Sequence, residues 1–247
     1  MTEIRIGTSG WHYKHWLGRY YPEGLPASRM LARYQQDFDT VELNNTFYRL
    51  PPSSAVEAWR DTTPANFRFA VKGSRFLTHM KKLKDPEAGL EKFFAPVELL
   101  GPKLGPILFQ LPPHWEVDTE RLESFIHALP QGHRYAFEFR NPTWNGPEVL
   151  DTLRRGNAAW CAFHLAGYQS PVEITADFTY VRLHGPGGKY QGSYDDEVLR
   201  GWARRIREWS SELSAVYVYF DNDDSGYAPR DALRLREMVG SESTGRS

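Results

Sequence analysis

Eight short apolar runs recur along the chain, and most of them are separated by stretches with helical periodicity. Each run is rich in β-branched or aromatic residues, as expected of parallel strands that are buried on both faces. The runs are Ile4–Thr8, Val41–Asn45, Arg68–Gly73, Ile107–Leu111, Tyr135–Arg140, Ala159–His164, Tyr180–His184 and Val216–Asn222. This alternation favours a TIM-type (β/α)8 barrel, with an open doubly wound sheet as the alternative.

The crossover between the sixth and seventh runs, residues 166–177, lacks an apolar helical stripe, so an irregular connection is expected there. No linker or shift in composition divides the chain, and its 247 residues suit a fold that typically needs about 250. We therefore expect one barrel domain over residues 1–240 and a disordered tail at 241–247.

The composition is that of a soluble globular protein, with 40% hydrophobic and 25% charged residues. No run of about 18 apolar residues and no leader-like segment occurs, so neither a membrane span nor a signal peptide is predicted. The single Cys161 excludes an internal disulfide and favours a cytoplasmic location. A net charge of −1 gives no overall attraction to nucleic acid.

Polar side chains occupy the C-terminal ends of nearly all the predicted strands, the ends that meet at the active rim of a barrel. In the fifth run, for example, Glu138 and Arg140 share the face opposite the aromatic residues. The full set is Thr8 or Ser9, Glu42, Asn44, Lys72, Gln110, Glu138, Arg140, His164, Arg182, His184, and Asp221 or Asn222. Unpaired buried polar groups cost roughly 1–3 kcal/mol each, so such a set predicts a functional site. Mutual neutralisation in ion pairs is the structural alternative.

Two loops and several aromatic residues accompany this set. The glycine-rich loop Gly185–Tyr190 carries Lys189 and follows the seventh strand, where barrels often bind phosphate. The loop after the third strand is basic and contains Arg75, His79, Lys81, Lys82 and Lys84. Rings near the strand ends could either stack on a ligand or pack the barrel mouth; they include Trp11, Tyr48 and Trp144.

Ligand-type residues for a divalent metal are present on neighbouring strands: Glu42, Glu138, His164, His184 and Asp221. Lys72, Arg140 and Arg182 belong to the same set, and fixed cations among the ligands disfavour a divalent ion. No HxH or HExxH spacing occurs, so we expect neither a metal nor another cofactor. The chain also lacks a P-loop lysine, GxGxxG and GxSxG, and Cys161 lies among apolar residues.

Many of these segments, in the same order, resemble the YecE-like proteins, named for a domain of unknown function numbered seventy-two. The segments are Gly7-Thr-Ser-Gly-Trp11, Tyr21-Pro22, Val41-Glu-Leu-Asn44, Thr46-Phe-Tyr48, Phe69-Ala-Val-Lys72, Thr78-His79, Gly105-Pro-Ile-Leu-Phe-Gln-Leu-Pro-Pro113, Glu138-Phe-Arg140, Trp144, Tyr180-Val-Arg-Leu-His-Gly185 and Tyr217-Val-Tyr-Phe-Asp-Asn222. The resemblance spans residues 6 to about 239 and implies a TIM-type barrel. Some such proteins are similar in shape to metal-dependent barrels of the endonuclease IV and xylose isomerase type, an analogy of fold that transfers no reaction.

The leading functional hypothesis is an enzyme that performs metal-free acid–base chemistry on a small phosphorylated or carboxylated anion. The predicted catalytic residues are Glu138, Arg140, His164 and His184, with Glu138 as general acid or base and the histidines as alternative proton carriers. The predicted substrate-binding residues are Glu42, Asn44, Lys72, Gln110, Arg182, Lys189, Asn222, Trp11, Tyr48 and Trp144. Nucleic-acid binding or metal-dependent phosphodiester cleavage is the second hypothesis, and a non-catalytic sensor of the same anion is the third. No membrane partner is expected.

Overall fold

The computed structural model describes residues 2–241, which form two compact units. The first unit contains residues up to 41, Phe163–Ser170, and the chain from Tyr180 onward. The second unit contains Glu42–Ala162 and Pro171–Thr179. Each unit is described by itself below.

Eight parallel strands alternate with helices in a TIM-type (β/α)8 barrel, which confirms the fold predicted from the sequence. The strands are β1 (Glu3–Thr8), β2 (Thr40–Leu43), β3 (Arg68–Lys72), β4 (Leu104–Gln110), β5 (Tyr135–Glu138), β6 (Ala159–Leu165), β8 (Phe178–Leu183) and β9 (Ala215–Phe220). A two-residue strand, β7 (Tyr168–Gln169), pairs antiparallel with the end of β6. No helix lies between β6 and β8, so the predicted irregularity of the sixth crossover is confirmed.

In the first unit the order of hydrogen-bonded strands is β1, β9, β8 and the C-terminal part of β6. Strands β1 and β9 pair in parallel with Glu3 opposite Ala215 and Thr8 opposite Phe220. In the second unit the order runs from β6 through β5, β4 and β3 to β2. Parallel register in each set brings the C-terminal strand ends to one edge, which is where this fold places functional residues.

Within residues 2–241, six α-helices lie between strands and a seventh follows the last strand. They are α1 (Met30–Tyr34), α2 (Ser53–Thr62), α3 (Glu87–Val97), α4 (Thr119–Ala128), α5 (Pro147–Arg155), α6 (Asp196–Trp209) and, after β9, α7 (Tyr227–Ser241). The sequence predicts that Asp118 opens a helix and that Asp85, which is followed by Pro86, is a second N-cap. Helix α4 begins directly after Asp118, whose carboxylate accepts the backbone N–H of Arg121 at 3.0 Å. The predicted cap at Asp85 is wrong, since α3 starts at Glu87 and Asp85 has a φ of +43°. The cap was misassigned because a left-handed backbone removes Asp85 from the N-cap geometry.

The last helix reaches Ser241, so the predicted tail at 241–247 begins within α7, and residues 242–247 lie outside the described part of the chain. Several predicted strands also end earlier than expected. Asn44, Arg140, His184 and Asn222 each lie just after a strand rather than within it. In residues 2–241 no helix has both the length and the apolar character needed to cross a membrane.

Candidate functional site

Arg182, His184 and Asp221 form a buried polar cluster in the first unit, hereafter the Arg–His–Asp cluster. Arg182 and His184 are two residues apart at the end of β8, so their side chains point to the same face. Asp221 follows β9, and its backbone N–H donates to the carbonyl of Leu183 at 2.8 Å. Arg182 and His184 have no solvent exposure, and Asp221 has 5%.

The hydrogen-bond partners of His184 show which of its ring nitrogens carries the proton. Arg182 Nη1 lies 3.3 Å from His184 Nε2, and a guanidinium can only donate, so Nε2 is the acceptor. His184 Nδ1 then carries the proton and donates to Asp221 Oδ2 at 3.0 Å. Arg182 Nη2 also donates to Asp221 Oδ2 at 3.2 Å and to Ser9 Oγ at 3.4 Å. Both ring nitrogens of His184 therefore meet protein groups.

His164, at the end of β6, offers an open ring nitrogen. Its Nδ1 lies 3.1 Å from the Tyr194 hydroxyl, which accepts the backbone N–H of Gly185 at 2.9 Å. Within residues 2–241 no hydrogen bond involves His164 Nε2, and the side chain is half-buried. Burial, with a smaller contribution from His184, lowers the pKa of His164 below its usual value. A neutral imidazole near physiological pH is suited to accept a proton.

The loops after β8 and β9, together with the segment after β1, line an open cavity of about 310 Å³ in the first unit, hereafter the loop cavity. Its lining residues are His15, Arg19, Lys189, Tyr190, Gln191, Asp223, Asp224 and Ser225. His15 Nε2 lies 2.8 Å from the carbonyl oxygen and 3.5 Å from Oδ2 of Asp223. The Lys189 ammonium lies 5.5 Å from the centroid of the Tyr190 ring.

The carboxyl group of Asp223 has an altered acidity. Burial, followed by the charge of Asp221, raises the pKa of Asp223 to about 6, and His15 opposes the increase. The side chain keeps 24% of its surface accessible. A carboxyl group that titrates near neutral pH and reaches a cavity is a candidate for proton transfer.

The loop cavity adjoins the Arg–His–Asp cluster through Tyr190. The Tyr190 ring meets the His184 ring edge-on with centroids 5.5 Å apart, and its backbone N–H donates to the His184 carbonyl at 2.7 Å. Gly185 permits this tight return, since its φ is +112° and a Cβ there would lie 2.3 Å from the Gln191 carbonyl oxygen. The loop is therefore built around a position that only glycine tolerates.

The carboxylate of Asp231, in α7, anchors the C-terminal part of the loop after β8. It accepts the Tyr194 backbone N–H at 2.9 Å, the Asn222 amide at 2.9 Å and the Ser193 hydroxyl at 2.8 Å. Arg234 donates to it at 2.8 Å, and Asp231 has no solvent exposure. The amide nitrogen of Asn222, a predicted substrate-binding residue, is thus committed to the loop, while its Oδ1 is buried without a hydrogen bond in the described residues.

In the second unit, Glu138 and Arg140 form a buried ion pair. Arg140 Nε donates to Glu138 Oε1, as the strand alternation at β5 predicts, and Glu138 has no solvent exposure. Its second oxygen, Oε2, lies 3.8 Å from the Sγ of Cys161. The register of β4 and β5 sets Gln110 opposite Glu138. The structure therefore brings Gln110, Glu138 and Arg140 together at one edge of this unit.

The other predicted residues of the second unit lie around β2 and β3. Glu42 is completely buried, and Asn44 follows the end of β2 with its Oδ1 buried and without a hydrogen bond in the described residues. The Lys72 ammonium lies 4.7 Å from the centroid of the Phe47 ring. The Thr46 hydroxyl holds the β2 and β3 ends together by contacting the carbonyls of Leu43 at 2.8 Å and Lys72 at 2.6 Å.

The three predicted aromatic contact residues differ in exposure. Trp144 is completely buried, stacks on Phe139 with centroids 5.0 Å apart, and donates from Nε1 to the Trp115 carbonyl. Trp11 is also buried, with 9% exposure, whereas Tyr48 is 77% exposed. The Trp144 ring is therefore packed in the interior, whereas the Tyr48 ring is accessible to a ligand.

Residues that the sequence reasoning missed are His15, Arg19, Tyr194 and Asp223. The run Asp221-Asn-Asp-Asp224 at the end of the last strand was the available signal for Asp223. In residues 2–241 no three His, Cys, Asp or Glu side chains converge as they would around a metal ion.

Comparisons with known proteins show the family to which the chain belongs. A family model described as "Protein of unknown function DUF72" matches residues 5–246. The chain belongs to the DUF72 family. The resemblance drawn from the sequence motifs is thereby confirmed.

Named relatives and a solved structure cover nearly the whole DUF72 chain. UPF0759 protein YunF of Bacillus subtilis is 28% identical over 275 residues, which is 98% of this chain and 96% of the relative. UPF0759 protein YecE of Escherichia coli K12 is 30% identical over 255 residues, 92% of this chain and 89% of the relative. The crystal structure of a DUF72 family protein from Thermotoga maritima superposes with a TM-score of 0.88 at 29% identity, covering 96% of this chain and 99% of the other.

Proposed function

We propose that this DUF72 protein is an enzyme that performs acid–base chemistry on a small phosphorylated or carboxylated substrate bound in the loop cavity. The observation that carries the proposal is the meeting of Lys189, Arg19 and the Asp223 carboxyl group in that one cavity of about 310 Å³. Two flexible cations attract an anion, and a carboxyl group with a pKa of about 6 can exchange a proton with it.

Lys189 and Arg19 are assigned to the anionic group of the substrate. The loop that carries Lys189 also contains Gly187 and Gly188, and glycines of this kind expose backbone N–H groups in the turns that surround phosphate oxygens. The volume of about 310 Å³ lies at the lower end of the range for small-molecule sites. A compact substrate is therefore favoured over a polymer.

Asp223 is assigned to proton transfer, because its carboxyl group lines the cavity. His164 keeps Nε2 open and has its pKa lowered by burial, but it does not line the cavity, so it is given no direct contact with the substrate. Glu138 is not assigned to proton transfer, because it is completely buried and accepts a hydrogen bond from Arg140. Arg182 and His184 become positioning residues that hold Asp221, since their donors and acceptors already meet protein groups.

The test is product analysis of EDTA-treated protein with a panel of sugar phosphates and sugar acids, followed by proton and phosphorus NMR. Thermal shifts select the substrates first, because a ligand at about 100 times its Kd adds about 2.7 kcal/mol of stability. We expect turnover of at least one compound, a loss of about 100-fold in Asp223→Asn, and no loss in Asp151→Asn, which alters an exposed carboxylate that pairs with Arg154. Turnover that depended on added metal, or that survived in Asp223→Asn, would refute the proposal.

A further inference from the structure

A second cavity, of about 720 Å³, lies wholly within the second unit and is hereafter the apolar groove. It is bounded by the segment after β2, the segment after β3 and helix α3. Three of the six exposed large apolar residues of the described chain line it: Tyr48, Phe76 and Met80, with exposures of 77%, 45% and 69%. Exposed apolar side chains that cluster in a concave surface mark an interaction site more often than isolated ones do.

A π-helical turn presents two of these side chains. Residues Phe76–Met80 form the turn, closed by the Lys81 backbone N–H donating to the Phe76 carbonyl five residues earlier at 2.9 Å. Leu77 and Thr78 are buried within it, so Phe76 and Met80 point outward.

Helix α3 provides a flat wall beside this turn. A Cβ at Gly89 would lie 2.6 Å from Leu77 Cδ2 and 3.3 Å from the Phe76 ring, so these side chains pack directly against the helix backbone. The Tyr48 ring is held on the other side by an edge-to-face contact with Phe47, with centroids 4.9 Å apart and an interplanar angle of 87°. The rings of Tyr48 and Phe76 therefore line the groove.

All the charged side chains that line the groove are positive. Its lining includes Arg49, Arg75 and Lys92 and contains no carboxylate. All three cations are exposed, and their side chains form no hydrogen bond or ion pair with other residues in 2–241. The groove is therefore complementary to an anion that also carries apolar surface.

We propose that the apolar groove is a binding site for a small organic anion that carries an aromatic ring, such as an aromatic carboxylate, sulfonate or phosphate. The ring is placed against Tyr48 and Phe76, since aromatic pairs gain energy beyond the area they bury. The anionic group is placed at Arg75, with Arg49 and Lys92 nearby on the same rim. Met80 closes the apolar side, where its flexible thioether adapts to ligand shape. This site is independent of the reaction proposed for the loop cavity.

The test is a fluorescence titration of the full chain with 1-anilinonaphthalene-8-sulfonate, an aromatic sulfonate whose emission rises in apolar surroundings. We expect saturable binding at one site, with affinity reduced at least about tenfold in Arg75→Gln and in Tyr48→Ser. Matched controls are Arg29→Gln and Tyr168→Ser, which alter an exposed arginine and an exposed tyrosine outside the groove. Both controls should retain the wild-type affinity, and circular dichroism of each variant checks that the fold is kept.

Three further probes decide the chemical class. The uncharged analogue N-phenyl-1-naphthylamine should bind at least about tenfold more weakly than the sulfonate, and decanoate should compete only weakly. Equal affinity for the uncharged analogue would overturn the anionic part of the proposal, and equal competition by decanoate would overturn the aromatic part. Displacement of the dye by oligothymidylate at lower concentration than by any small anion would assign the groove to nucleic acid instead. Unchanged dye affinity in both groove variants would remove the site altogether.

Discussion

Replacing Asp223 by asparagine should stabilise the protein at neutral pH while slowing the proposed reaction about 100-fold. In the native state, burial and Asp221 raise the pKa of Asp223 from 3.8 to about 6. The folded state therefore holds the Asp223 proton more tightly than the unfolded state does. The unfolding free energy decreases as the pH rises from about 4 to about 6, because in this window the folded state binds more protons.

The magnitude follows from the difference between the two pKa values. A difference of about two pKa units corresponds to about 3 kcal/mol at pH values above both. With 24% of the side chain accessible, solvent screens part of this penalty, so we expect about 1–2 kcal/mol. Asparagine keeps the shape of the side chain and removes the charge, so Asp223→Asn should be more stable than wild type by that amount at pH 7.5.

Urea denaturation at pH 7.5 and at pH 4 measures the effect, with the slope m checked for constancy. The advantage of Asp223→Asn should be present at pH 7.5 and largely lost at pH 4, where the wild-type carboxyl group is protonated in the folded state. Asp151→Asn serves as the control and should show less than about 0.5 kcal/mol at either pH. A mutant that is less stable than wild type at pH 7.5, or a difference that does not depend on pH, would refute the reasoning.

Three further outcomes are expected. Asp231→Ala should lower the unfolding free energy by about 3 kcal/mol, because the buried Tyr194 N–H loses its acceptor and the Asn222 amide loses one of its two acceptors. Faster hydrogen exchange at the Tyr194 amide would identify the cause, and a loss below about 1 kcal/mol would contradict it. Arg140→Met should cost about 3 kcal/mol by removing the cation from the buried Glu138, measured against the exposed control Arg154→Met; equal effects in the two variants would argue against the ion pair. The imidazole protons of His164, followed by NMR, should titrate below pH 6.5, and a midpoint above that value would show that burial does not control this ring.

Side-chain alternation accounts for the contacts between candidate residues that lie on the same strand. Glu138 and Arg140 lie two residues apart and meet across the end of β5, as the alternation requires. The same spacing places Arg182 and His184 on one face of β8. In both cases the contact is local along one strand, so the pattern of residues was sufficient to predict it.

The hydrogen-bond partners of His184 were not predictable in this way. As a histidine at a strand end it was an attractive proton carrier, but Asp221 from β9 and Arg182 from β8 occupy its two ring nitrogens. Whether a nitrogen is open depends on a residue 37 positions away. His164, which was predicted with equal weight, keeps Nε2 open because its partner Tyr194 meets only Nδ1.

By itself, the sequence determined the number and order of the parallel strands, the irregular sixth crossover, membership of the DUF72 family and the polar residues near the strand ends. These properties follow from local stereochemistry and from the repeated pattern of apolar residues, which a linear chain displays directly. Only the tertiary structure decided that Trp144 is packed while Tyr48 is exposed, and that Asp223 shares a cavity with Lys189 and Arg19. Exposure and acidity depend on which distant segments exclude water from a side chain, and that exclusion exists only after the chain has folded.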